Sequence, residues 1–304
     1  MYNFSGKEWG LVLAGGGGKG AYQAGVFKAL AEKGISDYIV GVSGASVGAL
    51  NLVLFESGDV KMAETIWGDI SPEQFLDISP EMIDFKEGFV SRDGLLKIIN
   101  NYVNLEDIRK SERSLYVSVT EFDENGEGEG TAKYLSLNYK SQQEIRDILL
   151  ASSAIPIIYS PVKINGKMYR DGGLKDNLPI RPLYIEGIRN FIVVGLSTET
   201  KIKYDKFPDA NFLFIKPRKS IGEFWDGTLD FTSTGAKIRM EIGYMDAVRD
   251  IEFYGRDDEM SKSEYQIQEK SDYQKIQYKC RQMSLEKQVG SHLDDLKNLI
   301  NKYN

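Results

Sequence analysis

Tyr38-Ile-Val-Gly-Val-Ser-Gly-Ala-Ser-Val-Gly-Ala-Leu-Asn-Leu-Val-Leu-Phe55 runs for 18 residues without a charge. A membrane span needs about 20 predominantly apolar residues. This stretch is interrupted by Gly41, Ser43, Gly44, Ser46, Gly48 and Asn51 and closed by Asp37 and Glu56. It reads instead as a buried strand from Tyr38 to Val42, a tight turn of small residues, and a helix from Val47 to Phe55. The same pattern stands upstream. Gly10-Leu-Val-Leu-Ala14 is a short apolar run ending in a glycine cluster, and Ala21 to Lys33 carries Val26 and Leu30 at helical spacing. Short buried strands alternating with helices build βαβ units on a largely parallel sheet. The N-terminal half is therefore α/β.

Downstream, Glu56 to Arg113 is mostly amphipathic helix, punctuated at Ser71-Pro72, Ser79-Pro80 and Gly88. Leu115 to Phe122 alternates as a strand, Asp123-Glu-Asn-Gly126 signals a turn, and Ala132 to Leu137 returns as the partner. A helix is expected from Ser141 to Ala151, a second hairpin from Pro161 to Tyr169 around Asn165-Gly166, and buried strands at Phe191 to Leu196 and Asn211 to Ile215. After Lys216 the composition shifts to Lys, Glu, Gln, Ser and Tyr. There Leu293, Leu296 and Ile300 mark one last amphipathic helix, with Ser291 as its N-cap. The expected organisation is a main α/β domain over 1–255 and a C-terminal helical extension over 256–304, either packed on the same domain or partly separate.

Composition excludes more than it selects. The chain has one histidine, His292, and one cysteine, Cys280. That rules out an intramolecular disulfide and any zinc site of the Cys/His kind. Lys+Arg 38 against Asp+Glu 45 leaves a net charge of −7, which gives no electrostatic support to nucleic-acid binding. The start, Met1 to Glu8, lacks the basic-then-apolar pattern of a signal peptide.

Three clusters carry chemistry. Gly15-Gly-Gly-Gly-Lys-Gly20 lies between a strand and a helix and matches G-x-G-x-x-G through Gly15, Gly17 and Gly20. A dinucleotide site would want an acidic residue at the end of the second strand, and a P-loop would want Ser or Thr after Lys19; neither is present. What survives is a bare backbone whose N–H groups can face an anion beside a helix N-terminus. Gly44-Ala-Ser-Val-Gly48 fits G-x-S-x-G, a sharp turn that exposes Ser46 at its tip. Ser43 offers an overlapping frame, but with Ala45 in place of its second glycine. Tyr169-Arg-Asp-Gly-Gly173 places Asp171 before Gly172 and Gly173 at the exit of a hairpin, as either a turn aspartate or a catalytic group. Asn177-Leu-Pro179 reads as a structural turn.

In this order the clusters resemble the patatin-like phospholipase family. Leu11 to Gly25 looks like the family's oxyanion segment, Gly44 to Asn51 like its nucleophile elbow, and Ala151 to Pro156 with Asp171 to Pro179 like its segments around the catalytic aspartate. The resemblance implies a three-layer α/β/α fold with a largely parallel sheet. It also implies a lipid acyl hydrolase with Ser46 as nucleophile, Asp171 as base and Gly15, Gly16, Gly17, Gly18, Lys19 and Gly20 as the oxyanion loop. Lys19 stands where many members have arginine, which keeps the charge but not the planar fork. The implied partners are a lipid acyl ester and, transiently, a membrane surface, in the cytoplasm and with no metal or cofactor; nucleic acid is not among them.

Two other readings stand beside it. Ser46, Asp171 and His292 fall in the Ser…Asp…His order of α/β-hydrolases, although a single strand precedes the one leading into Ser46. The glycine loop alone could also make a nucleotide- or phosphate-binding module, which leaves Ser46 and Asp171 without a role. The lysine run Lys201, Lys203, Lys206, Lys216, Arg218 and Lys219 reads as a solvated surface or as a contact for lipid.

Overall fold

In the computed structural model, which describes residues 4–69, 100–123, 128–156 and 159–303, the uncharged stretch divides as its pattern implies. It forms strand β2 (Ile39–Ala45) and helix α2 (Val47–Glu56), joined through Ser46. Upstream, β1 (Trp9–Leu13) and α1 (Ala21–Glu32) make the first unit, and β1 lies parallel to β2. Every residue of β1 is buried, because both faces of the strand are covered: Leu11 and Leu13 enter one apolar core, and Val12 enters another. A strand buried on two sides reads as a continuous apolar run rather than an alternation.

The chain continues through α3 (Val60–Asp69) and α4 (Leu105–Arg109) into β3 (Ser114–Phe122) and β4 (Thr131–Ser136), then α5 (Gln142–Ser152). Ser141 and Glu144 cap α5 reciprocally, each side chain serving the other's backbone N–H. The hairpin β5 (Val162–Ile164) and β6 (Lys167–Asp171) follows, then α6 (Ile180–Ile185), β7 (Asn190–Val194), β8 (Asn211–Ile215) and α7 (Ser233–Phe253). The eight strands form one sheet in the order β5-β6-β3-β2-β1-β7-β8, with β4 also on β3. Its centre, β3-β2-β1-β7-β8, is parallel throughout, and the antiparallel pairs are confined to the β3–β6 end. Residues of α1, α2, α5 and α7 fill the core on one face, and α6 packs with Val12, Phe191 and Val193 on the other.

One detail of register positions the site. β2 pairs with β3 up to Ala45 opposite Ser118, whereas β6 runs antiparallel to the same strand, with Asp171 opposite Val119. β4 occupies the other edge of β3 over Tyr116 to Glu121. β2 and β6 therefore share one edge and meet end to end, and the residues at their C-terminal ends become neighbours.

The chain divides into two compact units, Met1–Tyr254 and Gly255–Asn304. In the second, a single helix α8 (Glu259–Tyr303) replaces the short terminal helix that the apolar spacing suggests. Ser291 is not an N-cap but lies inside it. The stretch holds no proline and is rich in Lys, Glu and Gln, which are good helix formers. The start is capped instead by Asp258, whose Oδ1 accepts from the Ser261 N–H at 2.8 Å. Among the described residues no helix is long and apolar enough to cross a membrane. The punctuation expected at Ser71-Pro72, Ser79-Pro80 and Gly88, and most of the turn after Asp123, lies outside the described residues.

Candidate active site

The turn between β2 and α2 is strained. Ser46 has φ 54° and ψ −127°, a left-handed conformation that a residue with a Cβ adopts only when its surroundings enforce it. The enforcement is visible in the flanking glycines. A Cβ on Gly44 would stand 2.3 Å from the Gly48 carbonyl oxygen, and one on Gly48 would stand 2.2 Å from that of Leu13. Strand and helix thus approach closer than any other residue allows, with the serine at the tip. The Ser46 N–H donates to Ser152 Oγ at 2.8 Å, and Ser152 Oγ donates to the Ser118 carbonyl at 2.7 Å. The last residue of α5 therefore holds the turn to β3.

Ser46 occupies the N-cap position of α2 but does not cap with its side chain. Its Oγ donates to Asp171 Oδ2 at 2.6 Å, the contact that the end-to-end meeting of β2 and β6 makes available. Asp171 Oδ1 accepts from the Gly173 N–H at 2.7 Å. The turn role and the pairing with serine are thus divided between the two oxygens of one carboxylate. Its backbone is fixed as well: the Asp171 N–H donates to the Ala154 carbonyl, and Thr120 Oγ1 donates to the Asp171 carbonyl. Both side chains are 6% exposed. Burial pushes the Asp171 carboxyl up to about 6, against the opposing hydrogen bonds from Ser46 and Gly173. Ser43, the overlapping candidate, is fully buried and donates to the Pro179 carbonyl at 2.7 Å.

The glycine loop lies beside this pair, with one 3₁₀ turn over Gly17–Gly20 leading into α1. Its N–H groups are not equivalent. That of Gly15 donates to Asn177 Oδ1 at 2.9 Å, and that of Lys19 donates to the Gly16 carbonyl at 3.2 Å. Those of Gly16, Gly17 and Gly18 have no acceptor among the described residues. Asn177 also returns a bond from Nδ2 to the Gly15 carbonyl at 3.2 Å, so the expected structural turn in fact grips the loop. A buried set holds the loop's two ends: Gln23 Nε2 donates to the Ala14 carbonyl at 2.8 Å, and Asn51 Nδ2 to the Gly20 carbonyl at 2.9 Å. Asn51 also donates to Gln23 and accepts from Trp67 Nε1. Burial holds the Lys19 ammonium below the usual lysine range, with Arg239 adding to the effect and Glu223 and Asp226 opposing it.

A buried serine paired with a carboxylate at a G-x-S-x-G turn, beside a loop of unpaired N–H groups, has the parts of an acyl-transfer centre. The family model for patatin-like phospholipases matches residues 11–184, a segment that includes all of them. The chain belongs to that family.

Among curated relatives, lysophospholipase NTE1 of Kluyveromyces lactis is 26% identical over 262 residues, 82% of this chain but 16% of its own length. Neuropathy target esterase sws of Drosophila melanogaster is 25% identical over 211 residues, 67% of this chain and 14% of its own length. The chain thus spans about a sixth of the length of the curated relatives it matches. The crystal structure of VipD from Legionella pneumophila shares the fold, with a TM-score of 0.54 at 16% identity over 81% of this chain and 67% of that one.

The sequence patterns single out Ser46, Asp171 and the glycine loop and place Asn177 in a turn, but they assign no contact to Ser152, Gln23, Asn51 or Trp67. All but Trp67 lie inside the family-like segments, but their partners are set by the fold: Ser152 bonds Ser46 and Ser118, Asn177 bonds Gly15, and Trp67 bonds the Asn51 side chain.

Proposed function

We propose that this protein hydrolyses a carboxylic ester of a lipid through an acyl-enzyme on Ser46. The observation that carries this reading is the 2.6 Å bond from Ser46 Oγ to Asp171 Oδ2 at the strained turn. Ser46 Oγ attacks the ester carbonyl carbon as its proton passes to Asp171. The carbonyl oxygen becomes an oxyanion, which accepts from the N–H groups of Gly16, Gly17 and Gly18. The tetrahedral adduct collapses, Asp171 returns the proton to the departing alkoxide, and the acyl group stays on Ser46. Water then repeats the sequence: Asp171 takes a proton from it, the oxygen attacks the acyl carbon, and the fatty acid leaves as Ser46 recovers its proton.

Physics favours this division of labour. A carboxyl raised to about 6 is a stronger base than aspartate at 3.8, yet it is still ionised at neutral pH. Each oxyanion donor is worth about 2.7–4 kcal/mol in comparable hydrolases. The direct contact between serine and carboxylate supports a two-residue device over a relay through His292. The names of the relatives, lysophospholipase and esterase, make a single-chain phospholipid the first substrate to test, reached by transient contact with a cytoplasmic lipid surface.

Ser46→Ala is expected to abolish both fatty-acid release and labelling by a fluorophosphonate. Labelling that survives the substitution overturns the assignment. His292→Gln is expected to keep near-wild-type turnover, and a collapse by orders of magnitude would restore the three-residue alternative.

A further inference from the structure

Five of the six residues from Gly15 to Gly20 are glycine. Glycine loses the most conformational freedom on ordering, so this loop is the least self-stiffened part of the site. Oxyanion donors work only when they are already in place. Asn177, Gln23 and Asn51 hold the loop near its ends. Its middle meets something else. A Cβ on Gly17 would lie 2.2 Å from the Thr228 carbonyl oxygen, and one on Gly18 would lie 2.1 Å from that of Asp230. The backbone of residues 221–230 therefore presses directly on Gly17 and Gly18 as a strap.

The strap has little regular hydrogen bonding beyond one wide turn over Phe224–Thr228. Within it the Asp226 side chain accepts from the Glu223 N–H at 2.7 Å, and from α7 Arg239 gathers its two ends. Arg239, on the first turns of α7 and 4% exposed, donates from Nε to the Ile221 carbonyl at 3.2 Å and from Nη1 to the Asp230 carbonyl at 3.0 Å. From Nη2 it donates to the Asp226 carbonyl at 2.9 Å and to Asp230 Oδ2 at 2.5 Å. The guanidinium thus commits all three of its nitrogens to the strap, a pattern that an ammonium cannot reproduce. Both the strap and Arg239 lie beyond the family-matched segment, which ends at residue 184.

We propose that Arg239 is a positioning residue for the glycine loop: by gathering the strap it holds the Thr228 and Asp230 carbonyls against Gly17 and Gly18, and so fixes the backbone whose N–H groups receive the oxyanion. The inference rests on the ester-hydrolase reading and adds to it a residue that never touches substrate.

The test compares two ligands of the 304-residue chain. A trifluoromethyl ketone with a lipid acyl chain adds to Ser46 and places an anionic oxygen in the hole; the corresponding ether lacks the carbonyl and reports ground-state binding alone. Arg239→Met is expected to weaken the ketone and lower kcat by about 100-fold, with KM and the ether within about twofold. Arg239→Lys should recover about 10-fold of that loss through its remaining donors. Ketone and ether weakening together, or neither weakening, overturns the proposal. Should neither Arg239 variant fold, Asp230→Asn decides: it removes one anchor and leaves the three carbonyl bonds, and an unchanged ketone affinity overturns the proposal. A wild-type protein that neither cleaves esters nor binds the ketone refutes the ester-hydrolase reading itself, and this inference with it.

Discussion

Asp171 is costly to the fold in the state that the proposed reaction uses. Its carboxyl is raised from 3.8 to about 6, so as pH rises the unfolded chain releases this proton first. The stability it contributes is complete below about 3.8 and is lost as pH climbs through about 6. Asp171→Asn removes the buried charge, and at pH 8 it is expected to raise unfolding free energy by about 2–3 kcal/mol while turnover disappears. Denaturant titrations at pH 8 and pH 4 check this, because the gain must shrink at the lower pH; no gain at pH 8 refutes the desolvation argument. The same ionisation shapes the rate. Turnover of wild type is expected to fall as pH drops through about 6, following protonation of the base. A rate flat from pH 5 to 8 counts against Asp171 as that base. Both residues of the pair are legible in the sequence because each sits in a local pattern, G-x-S-x-G or Asp-Gly-Gly. The value of about 6 is not legible, because burial is created by segments that neither pattern contains.

At the scale of elements, the turn and the glycine loop are shaped by bonds that cross from one secondary structure to another. Ser152 links α5 to the β2–α2 turn and to β3. Ser152→Ala leaves the Ser46 N–H and the Ser118 carbonyl buried without this partner, and is expected to cost about 1–3 kcal/mol. It also loosens the strained backbone at Ser46, so kcat should fall more than KM rises. Asn51→Leu strips partners from the Gly20 carbonyl, Gln23 and Trp67 at once. It should destabilise by more than Ser152→Ala, a ranking that thermal unfolding of the two proteins checks directly. Most elements were readable from apolar spacing and turn signals, as β1, α1, β2 and α2 show. The start of α8 was not. Its apolar positions near Leu293 are periodic, but the helix begins 34 residues earlier, at Glu259, on Lys, Glu and Gln residues with little apolar periodicity. The decisive mark is the small cap at Asp258, which is easily passed over among so many charged residues.

For the whole molecule, every residue of the proposed chemistry, together with Arg239 and its strap, belongs to the unit Met1–Tyr254. We therefore expect a chain ending after Tyr254 to release fatty acid from a soluble ester within a few-fold of the rate of the 304-residue chain. Loss of activity in a shortened chain that still unfolds cooperatively would assign the second unit a part in the site. The meeting of β2 and β6 on one edge of β3 also has a consequence in time. During synthesis Ser46 emerges 125 residues before Asp171, so in the proposed reaction the serine has no base until β6 has docked. In the proposed reaction, competence therefore follows the closing of the sheet, not the appearance of the serine.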